Sequence, residues 1–337
     1  YDELAEALGL TPFERAILLL CAGMELDPLL PGLLAALQGD PSRPFPTFGW
    51  ALDALPDAHW SAVTPAAPLR HWRLIEVGIG STMTASPLRI DERTLHHLCG
   101  AAYLDPRLRG LVEPVAVPRS LPDSYRHHAE RIAEGWSGQD EPRANVQVET
   151  GGEIARSVTA AGAAFLRLHL HAVRASRLPV TAGEIETLAR LWERDALFLR
   201  SALLIEDDSS GEAVARRAAH DLAAAVNGPV AMTGTDLTRT GTRPVRRVTV
   251  PALEIEEQRA LWVHALGERA VNLNGRLDSL IAQFPLDAAA ILNVGSEAEP
   301  DIDATEPESL ASSLWDRCRA EARVPLQAAS DHIVSEA

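Results

Sequence analysis

Asn145 to Ser157, NVQVETGGEIARS, is the stretch whose reading decides the fold. Val146 to Val148 reads as a short apolar strand, Gly151-Gly152 as a turn, and the residues to about Phe165 as a helix. Strand, glycine turn and helix in that order are the grammar of a phosphate-binding loop, in which backbone N–H groups and a helix N-terminus hold an anion. Laid on GxxxxGK[ST], the octet Thr150 to Ser157 fits only at its last position. Thr150 and Ala155 stand where the glycines belong, Arg156 replaces the lysine, and Ser157 matches. All 31 basic residues of the chain are arginines. No compact ammonium is available to reach between phosphates, and a planar guanidinium is not its equivalent. The stretch predicts a nucleotide-binding architecture with a defective pocket.

Downstream, strands and helices alternate. Phe165–Val173 alternates apolar and polar residues as a second strand, and Thr181–Ser201 is a long helix. Ala202–Asp208 is an apolar strand ending in acids, Glu212–Val226 a helix, and Pro229–Gly234 and Val245–Val250 two more strands. Such alternation implies a parallel sheet covered by helices. In a working loop ATPase the acid-bearing strand ends in Asp-Glu, for magnesium and for the attacking water. Here the order is inverted, Glu206-Asp207, and Asp208 follows. These acids sit at a carboxyl-terminal strand edge, where open α/β sheets bind ligands; three solvated acids are the plainer alternative. Thr233 and Thr235 end the next strand, where a polar side chain would meet a terminal phosphate or simply form a turn. The candidate nucleotide contacts are Thr150, Gly151, Gly152, Ala155, Arg156, Ser157, Glu206, Asp207 and Thr235, with no catalytic group among them. Arg239, Arg243, Arg246 and Arg247 are arginine-finger candidates only by their closeness to the sheet edge, and a solvated loop is the plainer reading.

Upstream, the chain is helical. Thr11, Pro12 and Glu14 form a capping box ahead of a helix carrying Phe13, Ile17 and Leu18. Leu29–Gln38 ends at Gly39, and Thr47–Leu55 is a third helix. Leu69–Val77 and Ser86–Ile90 flank a polar tip as a hairpin, and Asp91 caps a helix to Gly100. Three helices and a two-stranded wing make a winged-helix arrangement, which reads either DNA or a protein partner. Leu121–Ser137 is one more helix. Beyond the sheet, Glu254–Leu266, Leu277–Gln283 and Leu286–Val294 form a small helical lid. Residues 295–309 are acidic and proline-containing, and Leu310 to about His332 is a last helix whose apolar stripe needs a partner.

Composition narrows the function classes. A formal charge of −16 argues against a nucleic-acid binder, which needs basic surface to displace counterions. Cys21, Cys99 and Cys318 are few and widely spaced, as reduced thiols of a cytoplasmic protein are. The longest apolar run, Ala16–Met24, is far short of the ~20 residues of a membrane span. His96-His97, His127-His128 and the pair His169 and His171 lack further ligands at usable spacing, so no metal site is expected. The chain opens at Tyr1, not methionine, which points to a part of a longer protein.

Several phrases together resemble the N-terminal half of the AAA+ ATPases encoded with phage-tail-like contractile injection systems. They are LTPFER (Leu10 to Arg15), LLLCAG (Leu18 to Gly23), GDP (Gly39 to Pro41), PTFG (Pro46 to Gly49) and HWSA (His59 to Ala62). They continue with PLRHWRLIE (Pro68 to Glu76), PLRIDER (Pro87 to Arg93), YLDPRLRG (Tyr103 to Gly110), ETLARLWER (Glu186 to Arg194) and QFPLDAAAI (Gln283 to Ile291). The resemblance implies a winged-helix domain over 1–137, a linker at 138–144, a degenerate AAA-like α/β module over 145–251 and its helical lid over 252–298. Residues 299–337 would then lead, from Trp315 onwards, into an absent active AAA module holding ATP and magnesium, so this segment itself would need no cofactor. It further implies an adaptor and scaffold whose partners are that module, neighbouring subunits of an oligomer and effector cargo. Two other functions stay open at this point: a weak ATP-binding and hydrolysing module, and DNA binding by the winged helix.

Overall fold

The computed structural model describes residues 2–137, 144–208, 212–234, 243–273, 275–284, 286–297 and 310–321. The chain divides into two compact units, neither continuous in sequence. Residues 1–113, 173–203 and 209–229 form the first; 114–172, 204–208 and 230–337 form the second.

In the first unit the Thr11 capping box is present, with the hydroxyl accepting from the Glu14 N–H at 3.2 Å and Glu14 accepting from the Thr11 N–H at 3.0 Å. It starts the helix Pro12–Leu26, whose Phe13, Ile17, Leu18 and Cys21 are buried at helical spacing. The helices Leu30–Gln38 and Phe48–Ala54 follow, the latter capped by Thr47. The wing is a pair of antiparallel strands, β1 (Ile75–Val77) and β2 (Leu88–Ile90), with Ile75 opposite Ile90. It is shorter than the sequence implies. Pro68 opens a helical turn, Pro68–His71, where the strand was expected to begin. The Trp72 indole then donates to the Leu8 carbonyl at 3.0 Å, and Arg73 adopts a left-handed φ of 51°. Together these turn the chain so that pairing starts only at Ile75.

The helix Ala182–Leu199 belongs to the same unit and is joined to the winged-helix region through buried charge. Arg194 is fully buried and donates to Asp91 Oδ1 at 3.0 Å, to the Arg73 carbonyl at 3.2 Å, to Asp195 at 3.3 Å and to Asp105. Asp195 in turn accepts the Asp105 N–H at 2.7 Å. Arg107 bridges Asp91 at 2.8 Å and Asp105 at 2.6 Å. The Arg93 guanidinium lies over the rings of Tyr103 (4.7 Å) and Phe198 (5.0 Å), with its Nε 3.5 Å from Asp195. Three arginines thus face three aspartates, a balance that makes such burial tolerable. Burial drives the Asp105 carboxyl up, but hydrogen bonds from the Arg107 side chain and backbone outweigh it and leave the group below its ordinary value. Asp195 ends above its ordinary value because burial prevails there.

The sheet is built from β3 (Val112–Val115), β4 (Asn145–Val148), β5 (His169–Arg174), β6 (Ser201–Glu206), β7 (Val230–Thr233) and β8 (Val245–Val248), in the order β3-β5-β6-β7-β4-β8. β3, which carries Pro114, is an edge strand, the place where a missing N–H does least harm. In the second unit β4 pairs in parallel with β7 on one side and β8 on the other, Val146 lying opposite Ala231 and Arg246. The helix Gly152–Phe165 ends where the sequence places its end, but β5 begins later than Phe165, because Arg167, with φ 56°, makes a turn that delays it to His169. The helix Asp123–Ser137 anchors on this sheet, the Trp136 indole donating to the Val230 carbonyl at 3.1 Å. The lid consists of Ile255–Leu266, Arg276–Gln283 and Ala288–Glu297. Residues 310–321 are helical; Leu314 and Cys318 are buried and Trp315 meets Phe284 edge to face at 5.1 Å. The apolar stripe of that helix therefore finds its partner in the lid.

Replacing Arg194 by Met leaves three buried aspartates to two arginines, Arg93 and Arg107, and is expected to destabilise the protein by about 3–5 kcal/mol in urea denaturation. Arg190→Met on the same helix, which removes an exposed pair with Glu186, is expected to cost under about 1 kcal/mol.

Candidate functional site

The carboxyl edge of the second unit's sheet gathers the loop after β4, the end of β6 and the end of β7. Asn145–Val148 is buried throughout. Gly151 caps the following helix without a side-chain hydrogen bond, and Gly152 enters it with φ 60°, a left-handed turn that glycine makes without strain. Gly151, Gly152 and Glu153 are exposed, so the first N–H groups of the helix face outwards. Glu153 lies in the first turn, where the helix dipole favours a negative charge. Thr150 is half-buried, Ala155 is buried in the helix–sheet packing, and Ser157 is half-buried.

Arg156 is the centre of the arrangement. Its Nε donates to Glu206 Oε1 at 2.7 Å and its Nη2 to Glu206 Oε2 at 2.7 Å, a two-bond fork between planar groups. The Arg156 side chain is 18% exposed and that of Glu206 13%, so the pair is partly shielded from water. Glu153 adds a longer contact at 3.9 Å. The Asp207 N–H donates to the Thr233 hydroxyl at 2.8 Å, which binds the end of β6 to the end of β7. Thr235 lies outside the described residues, as does Arg239.

Gln147 was read as part of an apolar strand and proves to be a structural hub. Fully buried on β4, it donates from Nε2 to the Gly234 carbonyl at 2.7 Å and accepts from Arg247 Nε at 3.2 Å. One amide so holds three strand ends together. The signal available in sequence was a lone polar residue in the middle of a short apolar strand, since a buried amide must find partners. Arg246 is paired with Glu134 at 2.7 Å, and Arg243 is buried.

Among the described residues no group of three His, Cys, Asp or Glu side chains comes together as metal ligands would. His171 is buried on β5 while His169 is exposed. Burial, with a smaller contribution from His169, lowers the His171 imidazole to about 4.

Comparison with known proteins bears on both ends of the chain. Residues 2–112 match the family model of a winged helix domain, variant. Residues 254–324 match that of the contractile injection system ATPase helical domain. These two matches agree with the resemblance carried by the sequence phrases: the chain has a winged-helix region, an α/β sheet module and a helical domain of the contractile injection system ATPase type. Among solved structures, Rhizobiales Trip13 aligns at 14% identity and a TM-score of 0.34, covering 57% of this chain and 88% of that one. No curated protein matches.

Two measurements check this geometry. A double-mutant cycle with Arg156→Ala and Glu206→Ala is expected to give a coupling energy of about 1–2 kcal/mol, since the pair is bidentate and shielded. The folded state resists protonating His171 down to about 4, whereas the unfolded chain takes up that proton near pH 6.5. Stability is therefore expected to fall, by roughly 2 kcal/mol from this group, as pH drops from 6.5 towards 4. His171→Gln should flatten that part of the stability profile.

Proposed function

We propose that this segment is the adaptor and scaffold region of a contractile-injection-system AAA+ ATPase, with a nucleotide pocket that no longer grips a triphosphate. The observation that carries the reading is the fork between Arg156 and Glu206. In a working loop the cation at this position reaches for phosphate oxygens, and a carboxylate on the facing strand serves the metal. Here each takes the other as its partner. A nucleotide would have to break a shielded two-bond pair, meet the Glu153 carboxylate at the helix N-terminus, and do so without a lysine anywhere in the chain. The residues present do not fit ATP with magnesium, and no chemical step is assigned to them.

What remains is a sheet module that retains its shape without its ligand, carrying a winged-helix region at one end of the chain and a helical domain at the other. The partners in this reading are proteins: a catalytic AAA module, neighbouring subunits of a ring, and effector cargo brought to them in the cytoplasm. The acidic balance favours a protein partner over DNA for the winged helix. Among the described residues no helix is long and apolar enough to cross a membrane.

Titration of the segment with a fluorescent ATP analogue and magnesium tests the proposal. No saturable binding is expected below about the millimolar range, which corresponds to some 4 kcal/mol of affinity. Micromolar binding that disappears in Arg156→Ala would contradict it.

A further inference from the structure

The helices Pro12–Leu26 and Leu30–Gln38 approach closely at Gly23, where a Cβ would lie 2.8 Å from a Leu30 methyl group. That approach seats Leu30, and Leu34 is buried one turn later. The same helical period sends Leu29, Leu33 and Leu37 outwards at four-residue intervals. On the neighbouring helix Leu19 and Leu26, seven residues apart, are also exposed. All five leucines are between 50% and 78% accessible. Single exposed leucines are ordinary, but a periodic row of them on one helix face is not.

The charge in this part of the sequence is mostly acidic. Between Asp2 and Asp57 the chain carries nine carboxylates and two arginines. Both arginines have local acidic neighbours, Arg43 with Asp40 at 3.3 Å and Arg15 with Asp2 at 3.9 Å. Glu25 and Asp27 are exposed where the two helices meet. An apolar row with an acidic rim repels an acidic surface and attracts a basic one. A second copy of this chain, at a formal charge of −16, is disfavoured as the occupant on that ground. Rows at four-residue spacing are how one helix reads the apolar stripe of another.

We infer that Leu29, Leu33 and Leu37, with Leu19 and Leu26, form a docking face for an amphipathic helix of a partner protein whose apolar stripe is flanked by lysine or arginine. This deepens the adaptor reading above and rests on it. The face supplies apolar contact and the rim supplies choice of partner.

The test uses the full segment and a fluorescent peptide of about 18 residues, or five helical turns, with leucine on one face and lysine elsewhere. A matching peptide carries glutamate in place of lysine. Anisotropy is expected to show saturable binding of the lysine peptide, at least about tenfold weaker in the Leu33→Gln/Leu37→Gln variant. The variant's thermal midpoint should stay unchanged, because glutamine is a good helix former and both positions are exposed. The glutamate peptide should not bind. Lysine-peptide binding that is absent, or that survives the double substitution, overturns the inference, and so does equal binding of the glutamate peptide. A concentration-dependent dimer in sedimentation equilibrium that is lost in the variant assigns the face to a second copy and also overturns it. Failure here leaves the ATP titration unaffected, so the adaptor reading and this surface can fall separately.

Discussion

A guanidinium offers its hydrogen-bond donors in one plane, and a fork closed on a carboxylate is not open to a phosphate. At the edge of the second unit's sheet, Arg156 closes its fork on Glu206. In the proposed reading, each residue stands where a nucleotide-binding module would need it for something else. The pair meets the electrostatic demand of the site from within: the helix N-terminus has Glu153, the arginine has Glu206, and the ends of β6 and β7 are tied through Asp207 and Thr233. The sheet needs no ligand to satisfy these groups.

The first unit solves a different problem with the same residue types. Three arginines and three aspartates are brought together around the helix Ala182–Leu199, several of them removed from water. Burying charge is expensive, and such a cluster contributes only when every member is matched. Asp91 shows how tightly the roles overlap, because it caps the helix Glu92–Leu98 and also accepts from Arg194 and Arg107. Phe198 is shared in the same manner, lying beneath the Arg93 cation and stacked on His97 at 4.1 Å. An exposed leucine row on the helix Leu30–Gln38 contrasts with this economy, for nothing within the described residues covers it.

Local rules carried much of the fold into the sequence. The capping box at Thr11, the glycine stop at Gly39, the Asp91 cap and the strand–turn–helix at Asn145 all act within four residues, and each is present. The structure departs from these rules where a neighbour in space overrides that range. After the helical turn at Pro68, the Trp72 indole is held by the Leu8 carbonyl, 64 residues away. β3 was not anticipated because a four-residue run with a proline is a strand only when it sits at a sheet edge. At the candidate site, the glycine turn and the acidic strand end were legible as types, but their pairing across 50 residues was not. Gln147 was hidden for the same reason, since its partners lie on two other strands. Two of the aspartates around Arg194 lie 89 and 103 residues away in sequence. Periodicity reports a face, not a partner.

Crystals of the segment grown with excess non-hydrolysable ATP and magnesium would show whether the Arg156–Glu206 fork yields to a triphosphate. Arg156 is expected to remain forked onto Glu206, with no ordered triphosphate beside the Gly151-Gly152 turn. Continuous density for three phosphates there, with the Arg156 side chain swung away from Glu206 to meet them, would contradict it.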